Sequence, residues 1–306
     1  MTAIAVVGPT ASGKSDVALQ IAKQRGGEIV SVDSMQVYRG LDIGTAKATA
    51  EMQSAVPHHL LDLVDPQDDL SVAQFQGAGR QVLEELQERV AQPVICGGSG
   101  LHFRSLVDPL EFPPNDPAAR AEIDALSDTE ARERLVAIDP QAAAHIDLAN
   151  PRRVTRALEV HVLTGLSPSQ RAARPSAAAV REYEPLIDFV AIGLDPGPEL
   201  ADRVERRFDR MLSNGLEDEV RRVQPGLGRL AAQAVGYKEL IPVVNGETDL
   251  ATGRDAAIRA TRALAKRQRT FFRRDPRIHW VAWDPDPAVR LRAAVEYLDG
   301  KGAWTS

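Results

Sequence analysis

The sequence predicts an α/β fold, a parallel sheet core interrupted by a helical insertion. From residue 3 to 100, apolar runs of strand length alternate with helical periodicity, the pattern of a parallel, doubly wound sheet. From about Pro109 the texture changes. Glu111-Phe112-Pro113-Pro114-Asn115-Asp116-Pro117 punctuates the chain, and 118–163 carry helical spacing without strands. The sheet pattern resumes at Asp188-Phe189-Val190-Ala191-Ile192-Gly193-Leu194. The core then comprises 1–112 and 185–306, with C-terminal helices, and the insertion 113–184. Such insertions commonly act as a lid or a macromolecule-binding arm.

The first strand is the apolar run Ala3-Ile4-Ala5-Val6-Val7, which suits burial on both faces. Next comes Gly8-Pro9-Thr10-Ala11-Ser12-Gly13-Lys14-Ser15, a match to the phosphate-binding P-loop pattern G-x-x-x-x-G-K-S/T. Val17, Ala18, Ile21 and Ala22 follow at helical spacing. Strand, glycine loop and helix make the core P-loop NTPase-like. The loop amides and the helix N-terminus converge on an anion, and Lys14 adds a point charge. The Ser15 hydroxyl suits a Mg2+ that the phosphates also hold. A di- or triphosphate is implied, but not whether it is transferred, hydrolysed or released.

A second strand at 28–32 runs into Asp33-Ser34-Met35-Gln36-Val37-Tyr38. Ligands of open α/β sheets bind beyond the carboxyl ends of strands, so Asp33 shares an edge with the P-loop. Two readings stand: Asp33 acts on the bound ligand, or it caps a helix. A glycine-bearing loop covers 39–47, and 58–63 reads as a short strand whose adjacent histidines point to opposite faces, a poor metal pair. Val72, Phe75, Val82, Leu83, Leu86 and Val90 mark a long amphipathic helix. The strand at 93–96 ends in Gly97-Gly98-Ser99-Gly100, either a ligand-approach turn or a tight strand-to-helix connection.

Within the insertion, Val154, Leu158 and Val162 share a helical face, whereas 166–185 is polar and reads as mobile. In a helix at 199–213, Arg203, Arg206, Arg207 and Arg210 flank the apolar face of Leu200, Val204, Phe208, Met211 and Leu212. Arg207 lies nearest that face. It either points inward, where a guanidinium clamps phosphate, or pairs at the surface with Glu205 or Asp209. A helix at 254–273 carries Arg259, Arg262, Lys266, Arg269 and Arg273 on one stripe. The stripe is a solvated face or a contact surface for a phosphate backbone. A last strand at 278–283 and a helix at 286–298 close the chain.

Composition sets limits. No apolar run of the 306 residues approaches a membrane span, and the start lacks the basic segment of a signal peptide. The single cysteine, Cys96, excludes an intrachain disulfide, fits the cytoplasm, and reads as a buried inert thiol. A net charge of −6 and a pI near 5.6 argue against nucleic acid. Yet Arg254 to Arg274 holds eight basic residues against one acidic, so a local basic surface is compatible with the total.

Together these segments resemble the bacterial tRNA dimethylallyltransferases over essentially the whole chain. Besides the P-loop, the resemblance rests on Ser31-Val32-Asp33-Ser34 with Tyr38, Asp42-Ile43-Gly44-Thr45-Ala46-Lys47 and Gly97-Gly98-Ser99-Gly100-Leu101. It continues in Asn150-Pro151-Arg152-Arg153 with Arg156-Ala157-Leu158-Glu159, in Gln233-Ala234-Val235-Gly236-Tyr237-Lys238-Glu239, and in Ala265-Lys266-Arg267-Gln268. Ser99 and His102 depart from the Thr and Tyr that the family often has there.

The resemblance implies transfer of a dimethylallyl group from dimethylallyl diphosphate to N6 of the adenine 3′ of a tRNA anticodon. The P-loop would hold the leaving diphosphate with Mg2+ at Ser15. Thr10 and Arg207 would share its charge, and Asp33 would act as base. Ser34, Met35, Gln36, Ser99 and Arg120 would line the adenine's approach. Arg152, Arg153, Arg156 and the segment Gln233, Gly236, Tyr237 and Lys238 would contact the tRNA anticodon stem-loop. A cytoplasmic monomer without a membrane partner is expected. The rival readings are a P-loop kinase of small molecules and a non-catalytic RNA-binding module; the Asp33 block with the arginine-rich elements favours transfer to tRNA.

Overall fold

A computed structural model describes residues 2–303. The chain divides into two compact units, 1–107 with 187–306, and 108–186. The sequence texture put these borders at 112/113 and 184/185.

The first unit is built on six parallel strands: β1 (Ala3–Val7), β2 (Glu28–Ser31), β3 (His58–His59), β4 (Pro93–Gly97), β5 (Phe189–Gly193) and β6 (Ile278–Trp280). Their order is β3-β2-β4-β1-β5-β6. β1 is central and wholly buried, paired in register with β4 and β5 (Val6 opposite Cys96 and Ile192). An unbroken Val/Ile/Ala run is what burial on both faces requires. The chain leaves β1, forms β2 and β3, returns through β4, and crosses to β5. The order reverses beside β1, where such sheets open a ligand crevice at the carboxyl ends.

Helices α1 (Lys14–Arg25), α2 (Ala50–Ala55), α3 (Val72–Glu88) and α4 (Gly100–Val107) connect the strands. After the second unit come α10 (Leu200–Ser213), α11 (Leu216–Val223), α12 (Tyr237–Val244), α13 (Leu250–Phe272) and α14 (Pro287–Gly300). Ser71 and Gln74 form a reciprocal capping box on α3, and Asp249 caps α13 through Thr252 N. One core, around Phe75, Phe103, Phe208 and Phe272, fills one side of the sheet; another joins α1 and α14 to β1 and β4.

The second unit holds α5 (Pro117–Asp124), α6 (Asp128–Ile138), α7 (Pro151–Thr164), α8 (Pro168–Ala172) and α9 (Pro175–Arg181), around a small core of Ile123, Leu135, Val154 and Leu158.

Three expectations are corrected. The strand at 58–63 shortens to two residues, because Leu60 and Asp62 take φ of 64° and 53°, outside the extended region. The polar stretch 166–185 forms α8 and α9. Its polarity serves caps: Ser167 closes a box with Gln170, and Ser169 donates to the buried Asp139. The last strand ends at Trp280, although Val281 N still donates to Gly193 O at 3.0 Å.

Candidate active site

The carboxyl ends of β1, β2 and β4 meet at a cleft of about 1390 Å³, above the 300–1,000 Å³ range of small-ligand pockets. Thr10, Lys14, Ser15, Asp33, Arg207 and Gln268 all line it.

The loop conformation follows from its glycines. Gly8 has φ 149°, and a Cβ there would meet Leu194 O at 2.2 Å; Gly13 has φ 82°. Ala11 is also left-handed, at φ 61°, a strained conformation typical of a functional turn. Thr10 N donates to Gln268 Oε1 at 2.8 Å, so α13 holds the loop open from across the cleft. Lys14 Nζ donates to Pro9 O at 3.2 Å. Burial pulls the Lys14 ammonium below its ordinary value, with Arg207 adding to the shift and Asp33 opposing it.

Arg207 points inward. Its Nη1 donates to Thr10 Oγ1 at 2.5 Å. Burial lowers its pKa, Asp33 opposes and Arg210 adds. The surface acids that could have claimed it, Glu205 and Asp209, bind Arg254 instead at 3.0 and 2.6 Å.

No helix follows Asp33, so the helix-cap reading fails; its carboxylate closes a turn instead. Its Oδ1 accepts from Met35 N (2.8 Å) and Gln36 N (3.3 Å). Its Oδ2 has no hydrogen-bond partner among the described residues. The turn fixes the carboxylate and leaves one oxygen for the cleft it lines.

The segment after Asp33 is anchored from below. The Glu219 carboxylate, 1% exposed, accepts from the amides of Asp42, Ile43 and Gly44 (3.0–3.2 Å) and from Tyr237 Oη at 2.5 Å. Lys47 Nζ donates to Tyr38 O at 2.8 Å and to Asp42 and Asp62 at 2.6 Å each. Gln36 accepts from Ser31 Oγ at 2.8 Å and donates to Thr45 O at 3.1 Å. These bonds account for the block 42–47 as the brace of the cleft wall.

The residues expected to contact nucleic acid differ in burial and in partners. Tyr237 is fully buried, with its hydroxyl on Glu219, and Gly236 is buried beside it. The Gln36 amide is committed internally, though the residue lines the cleft together with Met35. Ser99 Oγ bonds His102 Nδ1 at 2.7 Å, and His102 stacks edge-on to Phe75. Burial lowers the His102 pKa, against the pull of Asp33. In the second unit Arg120 and Arg156 both pair with the buried Glu159, at 3.6 and 2.9 Å. Arg152 and Arg153 are exposed, as are, on the first unit, Gln233 and Lys238, while Ser34 is half-buried.

The arginine stripe of α13 is largely ion-paired. Arg269 and Arg273 grip the buried Asp195 at 2.6 and 3.0 Å, and Arg262 meets Glu205 at 3.4 Å. Burial would raise the Asp195 pKa, but Arg273, the Gly197 amide and Arg269 outweigh it and hold the carboxyl low. Arg259, Lys266, Arg267 and Arg274 remain exposed. Cys96 is buried beneath Lys14 and Ser15, and burial pushes its thiol up to about 11.

The loop suits a Mg2+ bound through substrate. The exposed Ser15 hydroxyl lies on the first turn of α1 beside the Cys96 thiol, and no cluster of three metal-ligating side chains occurs among the described residues. One hydroxyl plus phosphate oxygens and water is an ordinary Mg2+ environment.

Fold and site define a P-loop α/β transferase in which the loop faces a carboxylate across one cleft. A family profile described as IPP transferase matches residues 36–275. A tRNA dimethylallyltransferase of Bifidobacterium longum is 41% identical, covering 97% of this chain and 91% of its own. One from Streptomyces coelicolor is 45% identical, covering 91% and 89%. The crystal structure of a tRNA isopentenylpyrophosphate transferase from Bacillus halodurans superposes with a TM-score of 0.70 at 36% identity, covering 98% and 96%. A eukaryotic dimethylallyltransferase acting on tRNA shares the fold at 23% identity and a TM-score of 0.78, over 98% and 80%. The chain belongs to the tRNA dimethylallyltransferase family, the IPP transferases.

Sequence reasoning missed Gln268 as a site residue, and with it Arg203 and Arg290, which also line the cleft. Gln268 stood in a matched block, which was the available signal. Arg203 stood on the arginine face of the helix at 199–213, and Arg290 carried no signal.

Proposed function

We propose that this chain, as a member of a family that transfers a dimethylallyl group to tRNA, takes that group from dimethylallyl diphosphate. It places the group on N6 of the adenine next 3′ to the anticodon. The observation that carries this reading is the pairing of a phosphate loop with the open oxygen of Asp33 in one cleft.

The allylic C–O bond breaks and its electron pair passes to the diphosphate. Donors already in place stabilise that charge as it develops. Loop amides and Lys14 supply part. Thr10 Oγ1 accepts from Arg207, so its own proton is available to a diphosphate oxygen. Ser15, together with the phosphates, would hold a Mg2+, which would supply further charge neutralisation. The N6 lone pair forms the new C–N bond and the N6 proton passes to Asp33 Oδ2. The adenine leaves its stack to enter, at a cost of a few kcal/mol typical of base-modifying enzymes. Exposed Arg152, Arg153, Gln233 and Lys238 are the candidates for tRNA contact, and the reaction belongs to the cytoplasm.

The test is incubation with carbon-labelled dimethylallyl diphosphate, Mg2+ and unmodified tRNA, followed by digestion to nucleosides. Label in N6-dimethylallyladenosine supports the reading. No label in RNA, or label in a tRNA lacking adenine at that position, contradicts it.

A further inference from the structure

We propose that Arg203 and Arg290, gathered on the indole of Trp283, form a second cationic arm that grips the diphosphate at the Gly13 end of the loop, as Arg207 serves the Thr10 end. The inference rests on the reading that the loop holds a diphosphate.

Arg290 opens α14 and is 3% exposed. Its Nη1 donates to Asp284 O, and to Pro285 O at 3.0 Å. Its guanidinium lies over the Trp283 ring, 4.4 Å from the centroid. Arg203 lies over the same ring at 4.8 Å and donates from Nε to Ala11 O at 2.7 Å. Trp283 Nε1 donates to Glu199 at 2.9 Å, which fixes the plane of the indole.

These bonds leave the Nη2 of both arginines without partners among the described residues, and neither arginine has a carboxylate at ion-pair distance. Both Nη2 atoms approach one spot on the loop. A Cβ on Gly13 would lie 3.4 Å from Arg290 Nη2 and 3.7 Å from Arg203 Nη2. Two like charges are thus held close together; burial and then Arg290 lower the Arg203 pKa, against the more distant pull of Glu199.

The indole explains how the charges are held. A carboxylate would fix a guanidinium and also cancel its charge. An aromatic face attracts the cation through its quadrupole and leaves the net charge for a ligand. As the C–O bond electrons pass to the diphosphate, the arm meets that charge from the side of the loop opposite Thr10 in sequence. Arg203 and Arg290 touch the diphosphate; Trp283 acts through them as a positioning residue.

The experiment titrates inorganic diphosphate with Mg2+ into the full-length protein by calorimetry. Arg203→Lys and Arg290→Lys each weaken binding about tenfold, the loss of one charge-assisted fork contact, while Arg254→Lys leaves it unchanged. Because Arg290 also ties down 284–285, a second readout uses the unmutated fold. The arginine Nε–Hε NMR signals of Arg203 and Arg290 in nitrogen-labelled wild-type protein shift on saturation with diphosphate, and that of Arg254 does not. Unmoved Arg203 and Arg290 signals, or lysine variants with wild-type affinity, overturn the inference alone. Failure of the wild type to bind diphosphate overturns it together with the reading beneath it.

Discussion

Arg254 and Arg207 sit on neighbouring helices that flank one cleft, yet they are held in opposite ways. Arg254 closes on Glu205 and Asp209, and those carboxylates raise its pKa. Arg207 bonds a threonine hydroxyl, and burial lowers its pKa. The division extends through the first unit. Arg262, Arg269 and Arg273 have acidic partners; Lys14, Arg203, Arg207 and Arg290 converge on the P-loop without any among the described residues. Paired charges tie elements together. Cations withheld from carboxylates in a partly dry cleft oppose stability locally, the arrangement expected where an anionic ligand is to bind. Asp33 and Glu219 repeat the contrast in the acids: one has an open oxygen, the other is saturated with donors.

Mutations can break this division. The largest effect is expected at Asp33. Asp33→Ala should lower the single-turnover rate by about a thousandfold, within the usual range for a lost general base, with tRNA affinity nearly intact in filter binding. A near-normal rate would remove Asp33 as base. Arg207→Ala should follow, lowering the chemical step about a hundredfold, as for one lost transition-state donor. Equal loss in tRNA affinity would move Arg207 to the class of structural arginines.

The paired class should respond through stability. Glu219→Gln replaces an acceptor of several N–H groups with a side chain that must turn a donor toward some of them. A loss of about 3 kcal/mol is expected in chemical denaturation. Unchanged stability would show that the 42–44 loop does not depend on that carboxylate. The smallest effect separates members of the α13 stripe. Lys266→Glu should flatten the salt dependence of tRNA binding by about one unit of slope, while Arg262→Glu, already neutralised by Glu205, should change it less. The opposite order would contradict the assignment of Arg262 to the paired class.

Much of this was legible from local pattern. The apolar run 3–7, the glycine loop and the helical spacing after it lie within about twenty residues, where covalent geometry leaves little choice. The inward turn of Arg207 was visible as a border position on an amphipathic helix, although periodicity alone favoured an outward pair. Tertiary partners were not legible. The α13 stripe looked free because its acids come from other segments: Asp195 after β5 and Glu205 on α10. Gln268 reaches Thr10 across 258 residues of chain, and no periodicity reports such a contact. Tyr237 sat in a polar block, yet its hydroxyl serves the buried Glu219.

The most direct test is a crystal structure with Mg2+ and an unreactive thiodiphosphate analogue of dimethylallyl diphosphate. The diphosphate should occupy the loop between Thr10 and Gly13, with the reactive carbon facing Asp33 Oδ2 across a gap that admits one purine. A donor carbon turned away from Asp33, or a gap closed to a purine, would contradict the account.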